Sequence, residues 1–229
     1  MVFMAIEVLH RNDLPLGGFA GLKEHRLVMS PKLFGPHANP GTWTGIAGFV
    51  YLADAYFNPK GETSMHDHKE IDVISVMIEG RIDHQGSLEH GQGLEAGDVQ
   101  IQRAGGEGFS HNEINPDNSI NRTIQMWVLP EQKGEAAAYK IYKLGTTEVT
   151  RIYGGSSDQS DTFSSHTVIE IASLKASQKF TLEVPFLAYL AKGTATVKKL
   201  DIEDGDLFQG DQLIFTAKSD VILIVIYEI

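Results

Sequence analysis

Residues 94–101, Leu94-Glu95-Ala96-Gly97-Asp98-Val99-Gln100-Ile101, read as a Leu-x-x-Gly-Asp turn that opens into an apolar strand. The skeleton recurs as Leu207-Phe208-Gln209-Gly210-Asp211, an offset of 207 − 94 = 113 residues. At that offset Gly80 falls on Gly193, Ile101 on Ile214 and Ala104 on Ala217. A strand ending in Gly, a hairpin, Gly-Asp and another strand thus occur twice, which predicts two similar β units. Outward from this stretch, turn formers punctuate the chain at Asn58-Pro59-Lys60-Gly61, Asn115-Pro116-Asp117-Asn118, Gly154-Gly155-Ser156 and Asp204-Gly205-Asp206. The clearest apolar runs between turns are 71–78, 123–129, 180–190 and 221–227, rich in Val, Ile, Tyr and Phe. Helical periodicity rarely persists, so the pattern predicts an all-β sandwich or barrel with few short helices. Residues 131–139, just after Pro130, are the best helix candidate. The expected division is 1–140 and 141–229.

The chain has no cysteine, so any metal must be held by nitrogen and oxygen ligands. That composition fits a reducing compartment. A formal net charge of −11 disfavours direct nucleic-acid binding through a basic face. Met1-Val2-Phe3-Met4-Ala5-Ile6-Glu7 has neither the basic start nor the apolar core of a signal peptide, and no apolar run approaches the ~20 residues of a membrane helix. A cytoplasmic protein without a membrane partner is expected.

Two short pairs carry the chemistry: His66-Asp67-His68 and His111-Asn112-Glu113. In a strand, residues i and i+2 share a face, their Cα atoms ~6.6 Å apart. Each pair can therefore aim two donors at one point. Three imidazoles and a carboxylate suit a borderline divalent ion, with two positions left open if the ion is octahedral. Fe(II) leads, with Mn, Co, Ni, Cu and Zn as alternatives; structural zinc fits less well, because four protein ligands would close the site. With 9 histidines in 229 residues, chance alone supplies about 0.35 His-x-His pairs, and two exposed histidines in a turn are the plain alternative. The order of the two pairs around a Gly hairpin and Gly97-Asp98 is the stronger signal. The offset of 113 sets Lys179, Thr181, Ile224 and Ile226 opposite the four candidates. Beyond residue 140 the only histidine is His166, so one metal site, in the N-terminal unit, is expected.

Gly97-Asp98-Val99-Gln100-Ile101, Ala104-Gly105-x-x-Gly108, His111-x-Glu113 and Gln125-Met126-Trp127-Val128-Leu129-Pro130 together resemble the pirin family of bicupins. The likeness is strong over about 61–130 and faint elsewhere. It implies two tandem cupin barrels (double-stranded β-helix, jelly roll). The N-terminal barrel, 1–140, would hold one iron-type metal through His66, His68, His111 and Glu113, and the barrel of 141–229 would lack ligands. The family usually has Pro where Asp67 stands, Ser where Asn112 stands, and Glu, a candidate support for the metal ligands, where Asp72 stands.

Gly105-Gly106-Glu107-Gly108 is read as a tight turn beside the metal strand, and His84 and His90 as solvated in a polar hairpin, with the site mouth as an alternative for His84. Two functions follow. One is a metal-dependent dioxygenase of quercetinase type, acting on a small aromatic or flavonol-like substrate, with Glu113 as the catalytic base for a substrate hydroxyl. The other is a non-catalytic regulatory module with a protein partner; a cupin isomerase acting on a small sugar is a weaker third. Metal affinity is expected to fall below pH ~6.5, where free imidazoles protonate.

Overall fold

The computed structural model describes residues 5–88 and 92–229; Met1–Met4 and His90 lie outside the described residues. Among the described residues, twenty-one strands run in the order β1 (Glu7–His10), β2 (Leu16–Phe19), β3 (Leu22–Met29), β4 (Phe49–Phe57), β5 (His66–His68), β6 (Asp72–Glu79), β7 (Arg81–Gly86), β8 (Gly93–Glu95), β9 (Asp98–Arg103), β10 (Phe109–Ile114), β11 (Arg122–Val128) and β12 (Ala138–Lys143). They continue as β13 (Val149–Gly155), β14 (Ser165–Leu174), β15 (Lys179–Leu182), β16 (Phe186–Lys192), β17 (Thr194–Val197), β18 (Leu200–Glu203), β19 (Asp206–Gly210), β20 (Leu213–Ala217) and β21 (Val221–Glu228). The α-helical residues described are Pro31–Phe34, α1. No helix among the described residues is long and apolar enough to cross a membrane.

Contacts divide the chain into two units. One is Leu14–Thr44 with Gly48–Lys143; the other is Leu144–Ile229 with the segment ending at Asp13 and Gly45–Ala47. The first is built from a seven-stranded sheet, β12-β9-β6-β11-β4-β3-β2, and a four-stranded sheet, β5-β10-β7-β8. The second has β1-β19-β16-β21-β14-β13 and β15-β20-β17-β18. Strand for strand, β9-β6-β11-β4-β3 and β5-β10-β7-β8 recur as β19-β16-β21-β14-β13 and β15-β20-β17-β18, two cupin barrels of one topology.

The repeat is therefore present, but its register changes after the first hairpin. Gly80 and Gly193 end equivalent strands, whereas the counterpart of Gly97 is Gly205, because 97 − 80 = 17 residues in one unit are matched by 205 − 193 = 12 in the other. Both turns carry a glycine at positive φ, 92° and 100°. In both, an aspartate accepts a backbone N–H: Glu95 to Asp98 at 2.9 Å and Glu203 to Asp206 at 2.8 Å. Asp206, not Asp211, is thus the counterpart of Asp98.

Residues 131–139 are not helical. Gly134 turns at φ 77°, Glu135 is tied to Arg103 at 2.9 Å, and Ala138 already begins β12, paired with β9. Tertiary pairing overrides the weak helix pattern here.

Candidate metal centre

β5 and β10 pair antiparallel with His111 opposite His66 and Phe109 opposite His68, so both pairs found in the sequence share one sheet face. Period-two alternation turns His66, His68, His111 and Glu113 inward, while Asp67 and Asn112 point away. Asn112 donates to Glu62 at 2.6 Å and accepts from Thr63 at 3.2 Å, which anchors β10 to the segment before β5. The β9–β10 connection needs its glycines: Gly105 (φ 55°) and Gly108 (φ 79°) are left-handed, and a Cβ on Gly108 would lie 2.8 Å from the His68 carbonyl.

The nitrogens converge. His111 Nε2 is 3.0 Å from His66 Nε2 and 3.2 Å from His68 Nε2. His66 Nδ1 lies 2.9 Å from the Ser64 carbonyl, which only accepts, so Nδ1 carries the proton and Nε2 turns a lone pair inward. Burial, then neighbouring His66, lowers His68 from 6.5 to about 4. Burial and the surrounding imidazoles hold His111 far below the usual histidine range. Two nitrogens each ~2.1 Å from one ion and at right angles lie ~3.0 Å apart, so the observed spacing fits a shared cation. These three histidines form a group that could hold a metal ion.

Glu113 stands outside that three-residue group. Its carboxyl, 4% exposed overall, accepts from Ser75 Oγ at 3.1 Å and lines the same cavity as His66 and His68. Burial pushes it from 4.5 up to about 7, against the Ser75 hydrogen bond.

The cavity, of about 190 Å³, opens beside the histidines. Trp127 stacks on Tyr51 (4.4 Å, 27°) and on Phe34 (6.1 Å, 17°), and the His68 ring meets Trp127 edge-on at 5.6 Å. Phe19, 46% exposed, touches His66 at the rim. On the seven-stranded sheet, buried Glu24 accepts from Tyr51 Oη at 2.8 Å and from Arg26 Nε at 2.7 Å.

Residues 26–128 match the pirin family. A Pseudomonas aeruginosa protein provisionally named as a quercetin 2,3-dioxygenase is 30% identical over 188 residues, 71% of this chain and 80% of its own. The chain belongs to the pirin family. A quercetin 2,3-dioxygenase of Escherichia coli is similar at 26% identity over 158 residues, 65% of this chain and 68% of its own. The bacterial pirin YhhW of Escherichia coli, solved in complex with nickel(II), shares the fold: TM-score 0.83 over 97% of this chain and 98% of its own, at 18% identity. The same holds for a quercetin 2,3-dioxygenase of Acinetobacter baumannii, with TM-score 0.71 over 99% and 86% at 17% identity.

Two expectations drawn from the sequence need correction within this pirin barrel. His84 is not solvated; it is 0% exposed, its ring 5.5 Å from that of His111, and it meets Gln102 Nε2 at 3.1 Å. Buried Gln102 and Gln100, and half-buried Tyr139, continue that chain at 3.0 and 3.2 Å. Asp72, the expected support for the ligands, is engaged by Arg103, whose Nη2 is 3.1 Å away. Alternation along β6 puts it on the face opposite Ser75. The Glu24, Arg26 and Tyr51 cluster was not foreseen either, since nothing in the spacing of those residues marks them.

Proposed function

We propose that this pirin is a metal-dependent oxidoreductase of the quercetinase type, cleaving a flavonol-like aromatic in a cytoplasmic setting. In this reading His66, His68, His111 and Glu113 hold one divalent ion, Fe(II) foremost. The convergence of three imidazole nitrogens on the wall of an aromatic cavity carries the proposal, and the named relatives agree with it.

The ion held there would supply Lewis acidity that lowers the pKa of a substrate hydroxyl. The remaining work falls to the chain. The Ser64 carbonyl fixes the His66 tautomer, and burial keeps His68 and His111 neutral at physiological pH, ready to donate lone pairs. Tyr51 and Trp127 offer flat walls that orient an aromatic ring and exclude water. Glu113, its Oε1 held by Ser75, is poised to take the proton of the substrate hydroxyl.

The test is anaerobic purification, loading with Fe(II), metal analysis, and oxygen uptake with a panel of flavonols. Stoichiometric metal with flavonol-dependent uptake is expected, and Glu113→Gln should lower kcat by about 100-fold or more. Bound metal without uptake on any flavonol would overturn the enzymatic reading and leave a regulatory, protein-binding role. Full turnover by Glu113→Gln would refute the role of the base.

A further inference from the structure

The cavity has two polar walls and only one of them carries the histidines. On the other, Glu24 is 2% exposed, and both of its oxygens are taken by Arg26 and Tyr51. The Arg26 Nη2 is also 2.7 Å from Glu24. A guanidinium has five N–H donors, and only part of this fork is spent on Glu24. The side chain of Arg26, 31% exposed, lines the cavity together with Phe34, Tyr51 and Trp127. Burial and the Glu24 charge hold the Tyr51 hydroxyl well above its ordinary range, so it stays a neutral donor to Glu24 and fixes the carboxylate that positions the guanidinium.

We infer that Arg26, oriented by Glu24 and Tyr51, is a specificity-determining contact for an oxygen substituent on the end of a flat aromatic ligand remote from its chelating hydroxyl. The charge of Arg26 is already compensated by Glu24. The wall therefore favours a hydrogen-bond acceptor, such as an aryl hydroxyl or carbonyl oxygen, over a strongly anionic group. The stacked Tyr51 and Trp127 rings set the plane of the ligand, and the two polar walls set its direction. The ligand class is thus an aromatic with oxygen at both ends. This inference rests on the proposed flavonol reading for the identity of its chelating end.

Binding rather than turnover tests it. The full chain is loaded with Ni(II), and tryptophan quenching is followed; one of the two tryptophans, Trp127, lines the cavity. The ligands are 3-hydroxyflavone, which has only the chelating hydroxyl, and a flavonol hydroxylated on its outer ring. The hydroxylated ligand should bind about tenfold tighter, the scale of one hydrogen bond to a charged group. Arg26→Met should bring the ratio of the two Kd values to about 1, and Arg26→Lys should recover only part of it, because an ammonium lacks the fork. Arg151→Met removes an arginine from a similar trio with Glu170 and Tyr227 in the other unit, and should leave the ratio intact. Equal binding of the two flavonols by the native protein, or a preference that survives Arg26→Met, overturns the inference alone. Failure of the native Ni(II) protein to bind either flavonol overturns both it and the flavonol reading. Should Arg26→Met not fold, Tyr51→Phe, which keeps the ring and frees one oxygen of Glu24, must lower the ratio, and an unchanged ratio refutes the inference.

Discussion

Raising the pH of the metal-free protein should destabilise it through one side chain. Glu113 is held at about 7 by burial, against 4.5 for the free carboxyl. Between those values the folded state keeps a proton that the unfolded state has released. Because the folded value is raised, the stabilisation is fully present below pH 4.5 and is lost as pH climbs through 7. The gap of 7 − 4.5 = 2.5, at ~1.36 kcal/mol for each unit of pH, amounts to about 3 kcal/mol. The carboxyl is buried, so solvent screening does little to reduce that figure. Urea unfolding of metal-stripped native protein and Glu113→Gln, at pH 5 and pH 8.5, measures it. Gln keeps an acceptor for Ser75 but has no proton to lose. The difference in stability should move by about 3 kcal/mol in favour of the variant between the two pH values. Loading with Ni(II) should abolish the movement, since a cation beside the carboxylate replaces the lost proton. A difference that stays flat across that range in metal-free protein refutes the burial of an ionisable Glu113.

His68 should act in the opposite sense. Its folded value is lowered to about 4 from 6.5, so metal-free protein loses stability as pH falls from 6.5 towards 4, and His68→Gln should flatten that limb in the same urea experiment. The metal site should compete with the Glu113 proton below about pH 7, whereas burial already keeps His68 and His111 deprotonated there. Nickel titrations should show affinity falling by at least about tenfold per pH unit between 7 and 5, with a shallower slope in Glu113→Gln. Gly108→Ala forces a left-handed alanine and a 2.8 Å contact with the His68 carbonyl, so it should cost about 2 kcal/mol of stability and weaken nickel binding through displaced β5, read by melting and titration.

The parts of the fold legible in the sequence are those with a short period. His66-x-His68 and His111-x-Glu113 could be assigned to one face because alternation along a strand leaves no other choice, and the pairing of β5 with β10 sets the two pairs side by side. The repeat was legible for the same reason, but a single offset could not follow a hairpin whose connection runs 87–92 in one unit and 198–199 in the other. The helix expected over 131–139 failed because the partners that pull the segment into a strand, Arg103 and β9, lie some thirty residues away. His84 was misplaced because polarity argued for solvent while its neighbours in space, Gln102 and His111, come from other strands. The second polar wall was invisible since Glu24 and Tyr51 meet across 27 residues with no motif between them.

The second barrel supplies the control that separates fold from function. Through the β10–β7 and β20–β17 registers, the counterparts of Glu113 and His111 are Phe215 and Leu213; through β5 and β15, the counterpart of His66 is Leu182, with Val184 two residues on as His68 is. Leu213 and Phe215 belong to an apolar core with Phe186, Ala188, Leu190, Phe208 and Val225, against which Leu182 and Val184 pack. Ser75 and Gln100 are matched in the same way by Ala188 and Phe208. One topology therefore closes with an apolar cluster at the positions equivalent to His66, His68, His111, Glu113, Ser75 and Gln100. In the first barrel, hydrophobic clusters such as Leu22 with Phe57 and Met77, or Val73 with Phe109, are interrupted by histidines, a carboxyl and amides. Burying those groups costs desolvation that apolar side chains would avoid. Nothing in strand pairing or barrel closure requires them. Their presence in one barrel and absence from the equivalent positions of the other sets the cavity of the N-terminal unit apart from what folding alone requires.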